Sequence, residues 1–141
     1  MSSFIPDASV SMAWCFEDET NAYSESLLAR LEDDEEALVP SLWPLEVANA
    51  LVKAKQRGRV TETQIIGFLE DLSEFAINVD TRGIDRSLTE VRFLAEQYQL
   101  TSYDAAYLEL AMRTGAPLAS SLDEQLREAA VAAGIQLVQQ P

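Results

Sequence analysis

Four acidic residues stand where a helix begins or where a short apolar run ends: Asp7, Glu46, Asp104 and Asp123. Like charges gathered in one place stay ionised only when a cation neutralises them; otherwise some take up protons. A divalent metal is the economical solution. Two ions about 3.5–4 Å apart would clamp the attacking and leaving oxygens of a phosphodiester. The chain contains no histidine, which excludes Ser-His-Asp and Cys-His mechanisms, histidine general bases and histidine-ligated zinc. Oxygen-only ligands suit Mg²⁺ or Mn²⁺, and a water activated by the metal is then the nucleophile.

Each acid also has a plainer explanation. Aspartate in the first turn of a helix is favoured by the macrodipole and the free N–H groups there, which applies to Asp104 and Asp123. Glu46 lies among apolar residues of the stretch SLWPLEVANALVKAKQRG, and Asn49 and Lys53 continue a polar stripe on its face. That stripe is either a solvated face or a carboxylate with Asn49 orienting it or holding a water. Lys53, Lys55, Arg57 and Arg59 follow within seven residues. They read either as cations stabilising a helix C-terminus or as a strip that draws in a phosphate backbone.

Ten Lys plus Arg against 24 Asp plus Glu give a net charge of −14, which argues against a nonspecific nucleic-acid coat protein. The acidic block at 32–36 reads as a solvated helix end. A length of 141 residues, 48% of them hydrophobic and 24% charged, fits one domain spanning 1–141. No apolar run approaches membrane-spanning length and the N-terminus lacks the pattern of a signal peptide. Cys15 is the only cysteine, so an internal disulfide and multi-cysteine zinc sites are excluded. The expectation is a cytoplasmic protein.

The elements that must position these acids alternate. Strands are expected at 4–6, 37–40, 75–79, 117–120 and 135–139. Helices are expected from about Ser9, over 19–33, from a Ser41 cap to Arg57, from Thr61 to Ser73, over 84–98, from a Ser102 cap to Gly115, and over 122–133. Strands separated by helices pair in parallel through right-handed crossovers. The predicted fold is a three-layer α/β/α sandwich with a mostly parallel sheet of four to five strands. Its functional crevice lies beyond the carboxyl ends of the strands.

The segments DASVSMAW at 7–14, VPSLWPLEVANAL at 39–51, LTSYDAAYLELA at 100–111 and PLASSLDEQLREAA at 117–130 resemble the PIN-domain ribonucleases, specifically the VapC-type toxins of VapBC toxin–antitoxin modules. The resemblance implies a PIN-like sandwich and a Mg²⁺- or Mn²⁺-dependent endoribonuclease. It implies that the acidic quartet is Asp7, Glu46, Asp104 and Asp123, supported by Asn49, Ser9 and Ser121. Asp7 and Asp104 would be the main metal ligands, Glu46 would bind metal or position the water, and Asp123 would support a second ion. It further implies an RNA substrate, contacted by the basic run, a VapB-like antitoxin and a homodimer. One departure stands out: many relatives read A-T-x-D, whereas Ala119 and Asp123 are separated here by Ser120, Ser121 and Leu122. The other readings are a PIN nuclease that works in RNA processing rather than as a toxin, a PIN fold that only binds protein, and a noncatalytic receiver-like module. The last lacks the paired acids it would need after the first strand.

Overall fold

Short, buried apolar runs are strand-formers when helices cover both of their faces; such runs form the centre of the sheet of this protein, and a largely exposed strand forms one edge of it. The computed structural model describes residues 2–139. Strands β1 (Ser3–Pro6), β2 (Glu36–Pro40), β3 (Ala76–Asp80) and β4 (Leu118–Ala119) form a parallel sheet in the order β3-β2-β1-β4. The chain winds outward from β1 to β3 and then crosses to the other side of β1. The strand order therefore reverses between β1 and β4, which is where a crevice opens in such sheets. The expected parallel α/β architecture is the observed one.

Among the described residues, seven α-helices flank the sheet: α1 (Ala8–Cys15), α2 (Ala22–Glu32), α3 (Trp43–Gln56), α4 (Glu62–Ser73), α5 (Arg92–Tyr98), α6 (Ser102–Thr114) and α7 (Glu124–Ala132). Strand alternation separates two cores. Phe4 and Ala119 pack with Tyr23, Leu27 and Leu31 of α2, while Ile5 and Leu118 join the larger core with Trp43, Val47, Leu51, Tyr107 and Leu108. Each such fully buried aliphatic or aromatic side chain contributes about 1.5–3 kcal/mol. Helix α6 runs through the larger core, buried from Tyr107 to Ala111, and Gly115 closes it in the left-handed conformation at φ 75°.

Several boundaries differ from expectation for local reasons. The second helix begins at Ala22, where Asn21 and Ser24 form a reciprocal cap, and Glu17–Glu19 make a separate 3₁₀ turn. Ser41 does not cap α3; its N-cap is Leu42, and Pro44 in the first turn removes a donor that would need one. Thr101, not Ser102, caps α6, its hydroxyl accepting from the Asp104 N–H at 3.1 Å. The helix expected over 84–98 is broken into a 3₁₀ turn (Arg82–Arg86), a π turn (Ser87–Val91) and α5. The stripe read there as apolar and inward is only partly so, since Leu88 is 82% exposed while Val91 and Leu94 are buried. The turn is fixed by polar contacts instead. Asp80 accepts from the Gly83 N–H at 2.9 Å, and a Cβ at Gly83 would lie 3.1 Å from that carboxylate. The strand expected over 135–139 reduces to one bridge, Leu118 with Leu137.

Candidate active site

Asp7 directly follows the central strand β1. Its N–H donates to the Ala119 carbonyl at 2.9 Å, which locks it to β4. Its carboxylate caps α1: Oδ1 accepts from the Val10 N–H at 3.0 Å and from the Ser9 hydroxyl at 2.6 Å. Only 4% of Asp7 is exposed. Burial pushes its carboxyl above the usual range. The Ser120 and Ser9 hydroxyls and the Val10 N–H oppose that rise, and the nearby charge of Asp123 adds to it.

Asp123 also caps a helix, accepting from the Leu126 N–H of α7 at 3.0 Å. Asp104 does not. Its backbone N–H is taken up by Thr101, and its side chain faces Asp123. Burial first, then the hydrogen bond and charge of Asp123, then the charges of Asp7 and Glu46, push the Asp104 carboxyl up to about 7. Glu46 sits in the first turn of α3, and its Oε1 accepts from the Tyr107 hydroxyl at 2.7 Å. Burial raises its carboxyl, the Tyr107 hydrogen bond counteracts this, and Asp7 adds to the rise.

All four acids line one cavity of about 490 Å³, together with Ser9, Tyr107, Leu122, Glu124 and Gln125. A larger cavity of about 840 Å³ lies between the end of α1 and α4, lined by Phe16, Arg59 and Phe68, and contains none of the four. The acid cavity is therefore where the chemistry of this chain is concentrated. Its donors are all hard oxygens, and the mutual crowding that raises Asp104 is the strain a divalent cation relieves. Among the described residues, no three acidic or thiol side chains close into a ready-made cage. Mg²⁺ characteristically keeps several waters and binds through one or two carboxylates plus substrate phosphates, so an open arrangement of acids fits that ion.

The remaining sequence candidates divide. Ser9 lies in the site, and the Ser121 hydroxyl is 3.4 Å from that of Ser9. Asn49 is exposed and does not line the cavity. In the basic run, Lys55 pairs with Glu62 at 2.6 Å. Arg59 pairs with Asp18 and Glu19 at 3.0 and 3.1 Å and lies over the Phe16 ring. Lys53 and Arg57 are exposed. Glu109 lies outside the site: it is buried and accepts from Arg113 at 3.0 Å.

Two residues escaped the sequence reading. Tyr107 is one turn beyond Asp104 in a largely apolar helix, where nothing local marks it for the site. Ser120 directly follows Ala119, the place of the hydroxyl in an A-T-x-D pattern. Its buried hydroxyl lies against Asp7 without a hydrogen bond of normal geometry.

Comparison with known proteins agrees with the parallel α/β fold. The family model of the PIN domain matches residues 4–132. A curated relative, Ribonuclease VapC3 of Pyrobaculum aerophilum, is 39% identical over 83 residues, which is 59% of this chain and 63% of the relative. The crystal structure of PAE2754 from Pyrobaculum aerophilum superposes with a TM-score of 0.68 at 26% identity, covering 91% of this chain and 84% of that one.

Proposed function

The chain belongs to the PIN-domain family, and on that premise we propose that it is a Mg²⁺- or Mn²⁺-dependent endoribonuclease, the toxin of a type II toxin–antitoxin module. The observation that carries this reading is the meeting of Asp7, Glu46, Asp104 and Asp123 in one cavity at the carboxyl end of a parallel sheet. The toxin assignment is supported by the likeness to a protein named Ribonuclease VapC3. It brings with it a small antitoxin as partner, a homodimer as the working unit and residues 1–141 as one domain.

When bound, the divalent ion supplies charge neutralisation at the phosphate and lowers the pKa of a coordinated water. The residues of the chain do the rest. Asp7, tied to β4 and to the first turn of α1, offers the most rigid carboxylate. Asp104 and Asp123 arrive from the starts of α6 and α7 and face each other across the cavity. Glu46, steadied by Tyr107, is placed to orient a water or bind the ion. Lys53 and Arg57 remain available to an RNA backbone.

The direct test is cleavage of RNA by the purified chain with Mg²⁺ or Mn²⁺, its arrest by EDTA, and its loss in Asp7→Asn. Cleavage that persists in EDTA would overturn the metal-dependent reading. Sequencing of RNA ends after brief expression in a host tests toxicity and identifies the target in the same experiment.

A further inference from the structure

Tyr107 is 1% exposed, with its ring packed among core residues of α6, α3 and the sheet. A phenol so deeply placed needs an acceptor for its O–H. Among the described residues, the one it meets is Glu46 Oε1 at 2.7 Å, 61 positions away in sequence. Glu46 is the only member of the quartet that neither caps a helix nor has its own N–H bound by a capping side chain. Asp7 and Asp123 are caps, and the Asp104 N–H is itself capped. A glutamate side chain has three rotatable bonds, and fixing it carries an entropic cost that something must offset. The phenol is what fixes it.

We infer that Tyr107 is a positioning residue for Glu46, so that helix α6 sets two of the four carboxylates: Asp104 directly, and Glu46 through the phenol one turn further on. The inference rests on the metal-dependent nuclease reading above. Groups that hold a metal-binding carboxylate in place typically contribute 10–100-fold to metal affinity. Replacement by phenylalanine keeps the ring that fills the core and deletes only the hydroxyl.

The test is Mn²⁺ binding by the full chain, read by EPR of the free ion, for wild type, Tyr107→Phe, Glu46→Gln and the double variant. Tyr107→Phe should weaken Mn²⁺ binding by about 10-fold or more. In the Glu46→Gln background the same change should weaken it no further. Tyr103→Phe, at an exposed position of the same helix, should match wild type. In RNA cleavage, Tyr107→Phe should lower kcat and leave KM for the RNA within about twofold, because the hydroxyl touches a carboxylate and not the substrate. A loss of affinity that is equal in both backgrounds, or a Tyr107→Phe chain that fails to fold, would make the phenol a structural element and overturn the inference. Wild-type affinity in Tyr107→Phe would overturn it too while leaving the nuclease reading intact. A wild-type chain that binds no Mn²⁺ would remove both.

Discussion

Replacing Asp104 with asparagine should stabilise the metal-free protein while abolishing cleavage. In the fold this carboxyl is pushed up to about 7, against an ordinary 3.8, by burial and by Asp123, Asp7 and Glu46. Between those two values the folded chain holds a proton that the unfolded chain has released. Stability therefore falls as pH rises from about 4 to about 7, and the loss is complete above that. Taken whole, such a shift corresponds to about 4 kcal/mol. Asp104 is only half-buried, and solvent screening reduces this to roughly 1–2 kcal/mol. Asparagine keeps the size of the side chain and cannot ionise. In EDTA at pH 8, Asp104→Asn should therefore melt about 3–8 °C above wild type, and the two should converge near pH 4. Added Mg²⁺ should narrow the gap at pH 8, because wild type gains a ligand that the variant has partly lost. Thermal melts followed by circular dichroism across pH 4–8 provide the measurement. A variant that melts below wild type at pH 8 would mean that Asp104 serves the start of α6 and not the cavity, and the crowding argument would fail.

The other expectations follow from contacts of the same kind. Asp7→Asn should abolish cleavage yet melt close to wild type, because its Oδ1 can still accept from the Val10 N–H; Asp7→Ala, which loses that cap, should cost about 1–2 kcal/mol in urea denaturation. Mg²⁺ at 100 times its Kd should stabilise the wild type by about 2.7 kcal/mol and leave Asp7→Asn nearly unmoved in the same melt. Arg113→Ala strips the main partner from buried Glu109 and from Asp80, and should cost about 3 kcal/mol or more by urea titration. Arg113 also holds the Asp80 carboxyl below its usual range. That pair contributes fully above the ordinary carboxylate pKa and is lost on acidification through the lowered one, so Asp80→Asn should flatten the acid limb of the stability profile. Lys53→Ala with Arg57→Ala should reduce the salt slope of RNA binding by about 1.4, whereas Lys55→Ala and Arg59→Ala, already paired with acids, should change it less.

The alternation of apolar runs and periodic stretches was sufficient to read a parallel α/β sheet, because buried strands and amphipathic helices differ in period. The positions of Asp7, Glu46, Asp104 and Asp123 relative to those elements were equally readable, since a sheet of this kind has one productive edge. What escaped was anything set by contacts distant in the chain. Ile84 and Leu88 continue a helical stripe in sequence, but the turn they occupy answers to Asp80, Gly83 and Glu109. Tyr107 carries no local mark that separates a core aromatic from one whose hydroxyl reaches a carboxylate 61 positions away. Half of the basic run looked free because its acidic partners lie elsewhere: Asp18 and Glu19 for Arg59, and Glu62 for Lys55. The cap of α6 was misplaced by one residue because Thr101 and Ser102 are both good caps, and only backbone geometry distinguishes them.

The capping bond of Asp123 has a consequence for how this chain tolerates change in length. Its carboxylate is tied forward to the Leu126 N–H of α7, while Ala119 is held on the other side through the pairing of β4 with β1. The loop between them hangs from two fixed posts. A residue gained or lost there alters the path of the loop, and the acid stays with its helix. The loop is also part of the cavity wall, since Leu122 lines it and the Ser121 hydroxyl lies 3.4 Å from that of Ser9, so single-residue changes at 121–122 should reshape that wall while Asp123 stays at the start of α7.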